Sequence, residues 1–105
     1  MKLYNPSELK SVIEKHGFSF SKSLGQNFLI DKNVLDEIVL GSGVDKNSCA
    51  LEIGPGAGVL TRELAQAAES VVAVEIDKSL MPLLDYTLGE FDNVTVVCED
   101  VLKVD

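Results

Sequence analysis

The chain has 105 residues, 46% of them hydrophobic, which is enough for one small domain with a modest core and too apolar for a disordered chain. Its apolar runs are too short to span a bilayer, no N-terminal stretch resembles a signal peptide, and two cysteines with one histidine make no metal constellation. The net charge of −8 divides into +2 over residues 1–32 and −10 over residues 33–105, so the acidic body does not read as a nucleic-acid surface and the weakly basic end reads as a solvated face.

"NPSELKSVIEKHG" (5–17) reads as a capped helix. Asn5 is the cap, Pro6 suits the first helical position, and Glu8 completes an analogue of the capping box. Leu9, Val12 and Ile13 form an apolar face, Gly17 is the stop, and His16 reads as a partner of the helix C-terminal dipole. "FSFSKSLGQNFLI" (18–30) has no helical period. Asp31 then caps a second helix whose face is Val34, Leu35, Ile38 and Val39, with "GSG" (41–43) ending it.

From residue 49 strands and helices alternate. "CALEI" (49–53) is a short strand and "VLTRELAQAA" (59–68) a helix with Leu60, Leu64, Ala65 and Ala68 inward. "SVVAVEI" (70–76) is a nearly continuous apolar run, as expected of a strand covered on both faces. "SLMPLLDYTL" (79–88) is a second crossover helix with Pro82 in its first turn, and "VTVVCE" (94–99) is a third strand. The order βαβαβ makes the chain α/β with parallel strands. Cys49 and Cys98 lie in strand-like runs and are expected to be buried thiols of a reducing cytosol.

The loop "GPGAG" (54–58) joins the first strand to its helix. It lacks the Lys of a phosphate-binding P-loop, and Val59 stands where the dinucleotide fingerprint needs its third glycine. On the loop alone, a tight turn without a ligand remains an alternative. Two acids add to it. Glu75 lies at the end of the second strand, where a carboxylate can accept both hydroxyls of a ribose. Asp100 lies just past the third strand, suited to accept from an exocyclic amine such as adenine N6. Glycine backbone, Glu and Asp on one rim describe an adenosyl ligand without phosphates.

These residues resemble the S-adenosylmethionine-dependent methyltransferases of the Rossmann-like class I. "LEIGPGAG" is similar to their first motif, "VEID" to the second and "CEDVL" to the third. "KSLGQNFLID" (22–31) resembles the signature of the ribosomal RNA adenine N6-dimethyltransferases, nearer the small-subunit (16S) enzymes than the erythromycin-resistance methylases of 23S rRNA. The resemblance implies cofactor contacts at Asn27, Leu29, Gly54, Glu75 and Asp100. Asn27 would offer a donor and an acceptor to the methionine end. Leu29 would offer backbone and an apolar wall, and Phe28 reads as a core anchor for the strap.

The implied organisation is an N-terminal helix and cofactor-capping strap over 1–32, then the first half of the cofactor domain over 33–105. The implied activity is dimethylation of N6 on two adjacent adenines of 16S rRNA in the small ribosomal subunit, in the cytoplasm and without membrane contact. The family's Asn-Leu-Pro-Tyr motif, which grips the target base, is not among these 105 residues and is expected beyond Asp105. No catalytic residue is therefore assigned, and the chain is expected to bind cofactor but not to methylate. A non-catalytic RNA-binding or transcription-factor relative of the family and a 23S rRNA adenine methylase are the alternatives. With its fourth strand missing, the family's sheet would leave "CALEI" as an open edge, and the chain is expected to self-associate there.

Overall fold

The computed structural model describes residues 1–18, 32–100 and 102. In chain order the elements are α1 (Pro6–Lys15), α2 (Lys32–Ser42), β1 (Cys49–Ile53), α3 (Val59–Ala67), β2 (Ser70–Glu75), a 3₁₀ turn (Lys78–Leu80), α4 (Met81–Leu88) and β3 (Val94–Cys98). The three strands form one parallel sheet in the order β1-β2-β3. The α/β class and the alternation expected from the sequence are both present.

Local chemistry explains most boundaries. Asn5 caps α1, its side chain accepting from the Ser7 amide at 3.1 Å, and Pro6 needs no donor at that position. The reciprocal arm of a capping box is absent: the Asn5 amide donates to the Lys2 carbonyl instead of to Glu8. His16 sits at the other end with its Nδ1 2.9 Å from the Val12 carbonyl, and Gly17 follows at φ +84°. The helix α2 runs through Gly41 and Ser42 and stops at Gly43, φ +74°, so most of "GSG" lies inside the helix it was expected to end. The expected N-cap, Asp31, lies outside the described residues, and so does Asp105, beyond which the base-gripping motif is expected.

Two apolar clusters hold the elements together. In one, Leu3, Leu9, Val12 and Ile13 of the N-terminal segment pack with Leu35, Ala57, Val59 and Leu83. The N-terminal helix thus backs the glycine loop directly, since Ala57 lies within that loop. In the other, Leu64, Ala65 and Ala68 cover Val71, with Ala50 and Val94 beside it. Residues Ala50, Val71 and Val94 are cross-strand neighbours, so they mark one face of the sheet, the one that α3 covers. The helix α4 lies over Val94 and Val96 on that same face. Two parallel connections stepping in one direction place their helices on one side when both are right-handed.

The other face corrects several expectations. The apolar run of β2 predicts cover on both faces; its burial alternates over Ser70–Ala73, with Val71 and Ala73 buried and Val72 only half-buried, while Val74 on the second face is buried near the strand's carboxyl end. On β1 the residues aimed at the opposite face, Cys49, Leu51 and Ile53, are exposed, Leu51 by 65% and Ile53 by 59%. Cys49 is therefore not a buried thiol, and Cys98 is only half-buried; both are free. In α2 only Leu35 is buried, whereas Val34 and Ile38 are exposed and Val39 is half-buried. The helical period places these four on one stripe, but α3 and the N-terminal cluster reach only part of it.

Candidate functional site

Three glycines shape the turn from β1 into α3. Gly54, Gly56 and Gly58 have φ of +71°, +61° and +93°, the region where a side chain is strained. The Gly54 amide continues the sheet ladder to the Val74 carbonyl at 2.9 Å, and the Gly58 amide closes the turn on the Pro55 carbonyl at 2.9 Å. The first and last glycines serve different needs. At Gly54 an added Cβ would meet nothing within 4 Å, leaving open room beside the backbone. At Gly58 it would lie 2.9 Å from Thr87 Oγ1 and 3.2 Å from Leu88, so this glycine lets α4 press against the loop.

Glu75 ends β2 next to this turn and is 6% exposed. One carboxylate oxygen accepts from the Gly56 amide at 3.4 Å and the other from the Asp77 amide at 3.0 Å. Backbone donors thus fix the carboxylate on the rim of the sheet rather than leaving it to swing. Past β3, Asp100 accepts from the Leu102 amide at 3.0 Å. Gly54, Glu75 and Asp100 line one cavity of about 120 Å³ at the carboxyl ends of the strands, together with Ile53, Val74, Ile76 and Glu99. In open α/β sheets that rim is where ligands bind.

The cavity's chemistry narrows the ligand. Its charged side chains are all acids, Glu75, Glu99 and Asp100, so a phosphate-bearing ligand would be repelled and a cationic one favoured. Ile53 and Ile76 supply its apolar wall. Ile76 is 67% exposed and, with Glu99, was missed by sequence reasoning. The signal for Ile76 was its place directly after Glu75, where the strand ends and the side chain clears the sheet. Asn27 and Leu29, the two strap residues assigned by resemblance, lie outside the described residues, as does Phe28. Among the described residues no group of His, Cys, Asp and Glu is arranged to hold a metal.

Beneath the loop, on the helix-covered face, Glu52 accepts from Thr61 Oγ1 at 2.5 Å. Burial pushes the Glu52 carboxyl above its ordinary value, and the Thr61 hydrogen bond partly opposes that rise. Neither the sequence motif nor the periodicity pointed to this pair. At the exposed end of the same rim, the Ser79 hydroxyl and amide hold Asp77 below the usual carboxylate range.

A parallel sheet with a glycine turn after β1, a buried acid ending β2 and a second acid after β3 defines a partial Rossmann-like domain of the class I S-adenosylmethionine methyltransferases. A family model described as "Ribosomal RNA adenine dimethylase" matches residues 17–105, and the chain belongs to that family. S-adenosylmethionine is the methyl donor of these enzymes. A ribosomal RNA small subunit methyltransferase A of Alkaliphilus metalliredigens is 53% identical over 104 residues, 99% of this chain and 36% of its own length. The crystal structure of the 23S rRNA methyltransferase ErmE superposes with a TM-score of 0.68 at 36% identity, over 72% of this chain and 31% of that one. A dimethyladenosine transferase from Plasmodium falciparum gives 0.65 at 26% identity, over 71% and 28%. The chain spans about a third of the length of the curated relatives it matches.

Proposed function

We propose that this chain binds S-adenosylmethionine and is the cofactor-binding part of an enzyme that dimethylates N6 of two adjacent adenines in the 16S rRNA of the small ribosomal subunit. The observation that carries this reading is the convergence of Gly54, Glu75 and Asp100 on one cavity. The open backbone at Gly54 would admit the compact methionine end, Glu75 would accept from the ribose hydroxyls, and Asp100 from the adenine amine. The charge of the site supports the same reading, because an acidic rim suits a sulfonium and an ammonium and opposes phosphates. The bound sulfonium supplies an activated methyl group; the chain's residues bind and orient it. The division into a 1–32 helix-and-strap unit and a 33–105 cofactor unit is part of the same reading, with Asn27 and Leu29 closing over the ligand. So is the base-gripping motif in the part of the enzyme that follows Asp105, and so is a cytoplasmic location beside the ribosome. Among the described residues no helix is long and apolar enough to cross a membrane.

Calorimetric titration tests the ligand. S-adenosylhomocysteine is expected to bind more tightly than NAD or ATP, and tighter NAD binding overturns the reading. Incubated with undermethylated small-subunit particles and labelled S-adenosylmethionine, the 105-residue chain is expected to yield no N6-dimethyladenine, since Asn-Leu-Pro-Tyr is not in its sequence. The position of β1 at the edge of the three-stranded sheet, paired with β2 on one side, supports a further part of the reading, self-association through that strand's open edge. Light scattering that finds a clean monomer at ~100 μM, where exposed apolar strands associate, removes it.

A further inference from the structure

We propose that the hydrogen bond from Thr61 to Glu52 sets the ligand-ready shape of the glycine loop, making both side chains positioning residues for the cavity they do not touch. This role rests on the S-adenosylmethionine reading of that cavity. The bond joins the end of β1 to the first turn of α3, and the whole of 54–58 lies between its two ends. A loop with three glycines has more conformational freedom to lose than one of the same length without them. Among the described residues the amides of Gly54 and Gly58 fix the two ends of the loop, to Val74 and Pro55 at 2.9 Å, while between them the Gly56 amide makes only a long 3.4 Å contact to Glu75. Without the Thr61–Glu52 tie, β1 and α3 could shift relative to one another and carry the loop amides away from Glu75.

The choice of residues supports a purpose beyond packing. Glu52 shares the helix-covered face of the sheet with Ala50, Val71 and Ala73, all apolar. An acid there carries a desolvation cost that an aliphatic side chain would avoid. Thr61 is fully buried and aims its hydroxyl at that acid. Rule-breaking residues of this kind mark sites where stability yields to function.

Thr61→Val keeps the volume and removes the donor; Thr61→Ser keeps the donor; Glu52→Ala removes the acceptor. S-adenosylhomocysteine affinity is measured by calorimetry, and amide hydrogen exchange is followed at Gly56 and Gly58 with Val72 and Val74 as the internal control. Thr61→Val is expected to weaken binding about tenfold or more and to speed exchange at the two glycines while β2 stays protected. Thr61→Ser should return affinity to within about twofold, and the Thr61→Val/Glu52→Ala double variant should be no weaker than its weaker parent, as coupled partners require. Unchanged affinity and unchanged loop exchange in Thr61→Val overturn the role, as do losses that simply add in the double variant. Loss of β2 protection in Thr61→Val and in Thr61→Ser alike also overturns it, since the pair would then serve the whole fold. If the wild-type chain binds no S-adenosylhomocysteine, the reading of the cavity fails, and the exchange at Gly56 and Gly58 alone decides for or against the tie.

Discussion

The two faces of this sheet are built from the same kind of residue and live in different surroundings. On one, Ala50, Val71 and Val94 lie under Leu64, Ala65 and Ala68. On the other, Val74 is buried but Leu51 and Ile53 are more than half exposed and Thr95 is exposed as well. Polar groups follow the same division. The covered face admits Glu52 with Thr61 as its partner, and Arg62 with four. The Arg62 guanidinium donates to the Thr87 carbonyl at 2.6 Å and to the Met1 carbonyl at 3.0 Å, pairs with Glu90, and lies 4.9 Å from the Phe91 ring centre. The lesson is that alternation along a strand tells which residues share a face, while the helices decide which face becomes core and which buried charges must be satisfied there.

The sharpest way to break that comparison is to truncate one leucine on each face. Leu64→Ala should cost about 2–4 kcal/mol of unfolding free energy, because it removes a buried side chain and leaves a cavity above Val71. Leu51→Ala should change it by less than about 0.5 kcal/mol, as surface substitutions do. Urea unfolding of both variants checks the pair; equal losses would mean that the second face is covered too.

The rim of the sheet gives the next effect, on binding rather than folding. Glu75→Ala is expected to lose about 1.5–3 kcal/mol of S-adenosylhomocysteine affinity, ten- to a hundredfold. Its carboxylate is held by the amides of Gly56 and Asp77, so part of the loss reflects a loop left without that acceptor. Calorimetry on a variant shown to be folded is the measurement, and unchanged affinity would detach Glu75 from the ligand.

Glu52 gives the smallest effect and the one that most sharpens the contrast between faces. Its folded pKa is raised above the ordinary 4.5, chiefly by burial. A raised carboxyl pKa means the folded state holds its proton more tightly than the unfolded one. The resulting stabilisation is complete below the unfolded value and is lost as pH rises through the folded one. Glu52→Gln, which cannot ionise, should therefore gain stability relative to wild type as pH climbs from about 4.5. Denaturant midpoints across pH 4 to 8 read the difference. A gap that stays constant over that range would show that Glu52 feels no burial.

Much of the framework was legible from neighbours in sequence. Strand β1 occupies Cys49–Ile53 as its apolar run indicates, and the three glycines take the positive φ that their close spacing between strand and helix suggests. Asn5 and Pro6 start α1 where capping chemistry places them. Gly54, Glu75 and Asp100 fall on one rim because consecutive parallel strands end on the same side, and one cavity does hold all three. These features depend on residues a few positions apart, or on the rule that parallel strands share a direction, so a single sequence contains them.

Tertiary structure alone decided the rest. Nothing local separates Ala50 from Leu51 in solvent exposure; the difference arises because α3 lies on one side of β1. Nothing local marks Arg62 as buried, for its partners are at Met1, Thr87 and Glu90, up to 61 positions away. The Thr61–Glu52 tie needs the turn to fold before the two side chains meet across it. The N-terminal helix backs Ala57 only because Leu3 and Leu9 from one end of the chain and Leu83 from α4 close around the loop. Periodicity and turn chemistry act over the range of a helical turn or a hairpin, whereas burial and the pairing of buried charge are set by whatever the chain brings back from a distance.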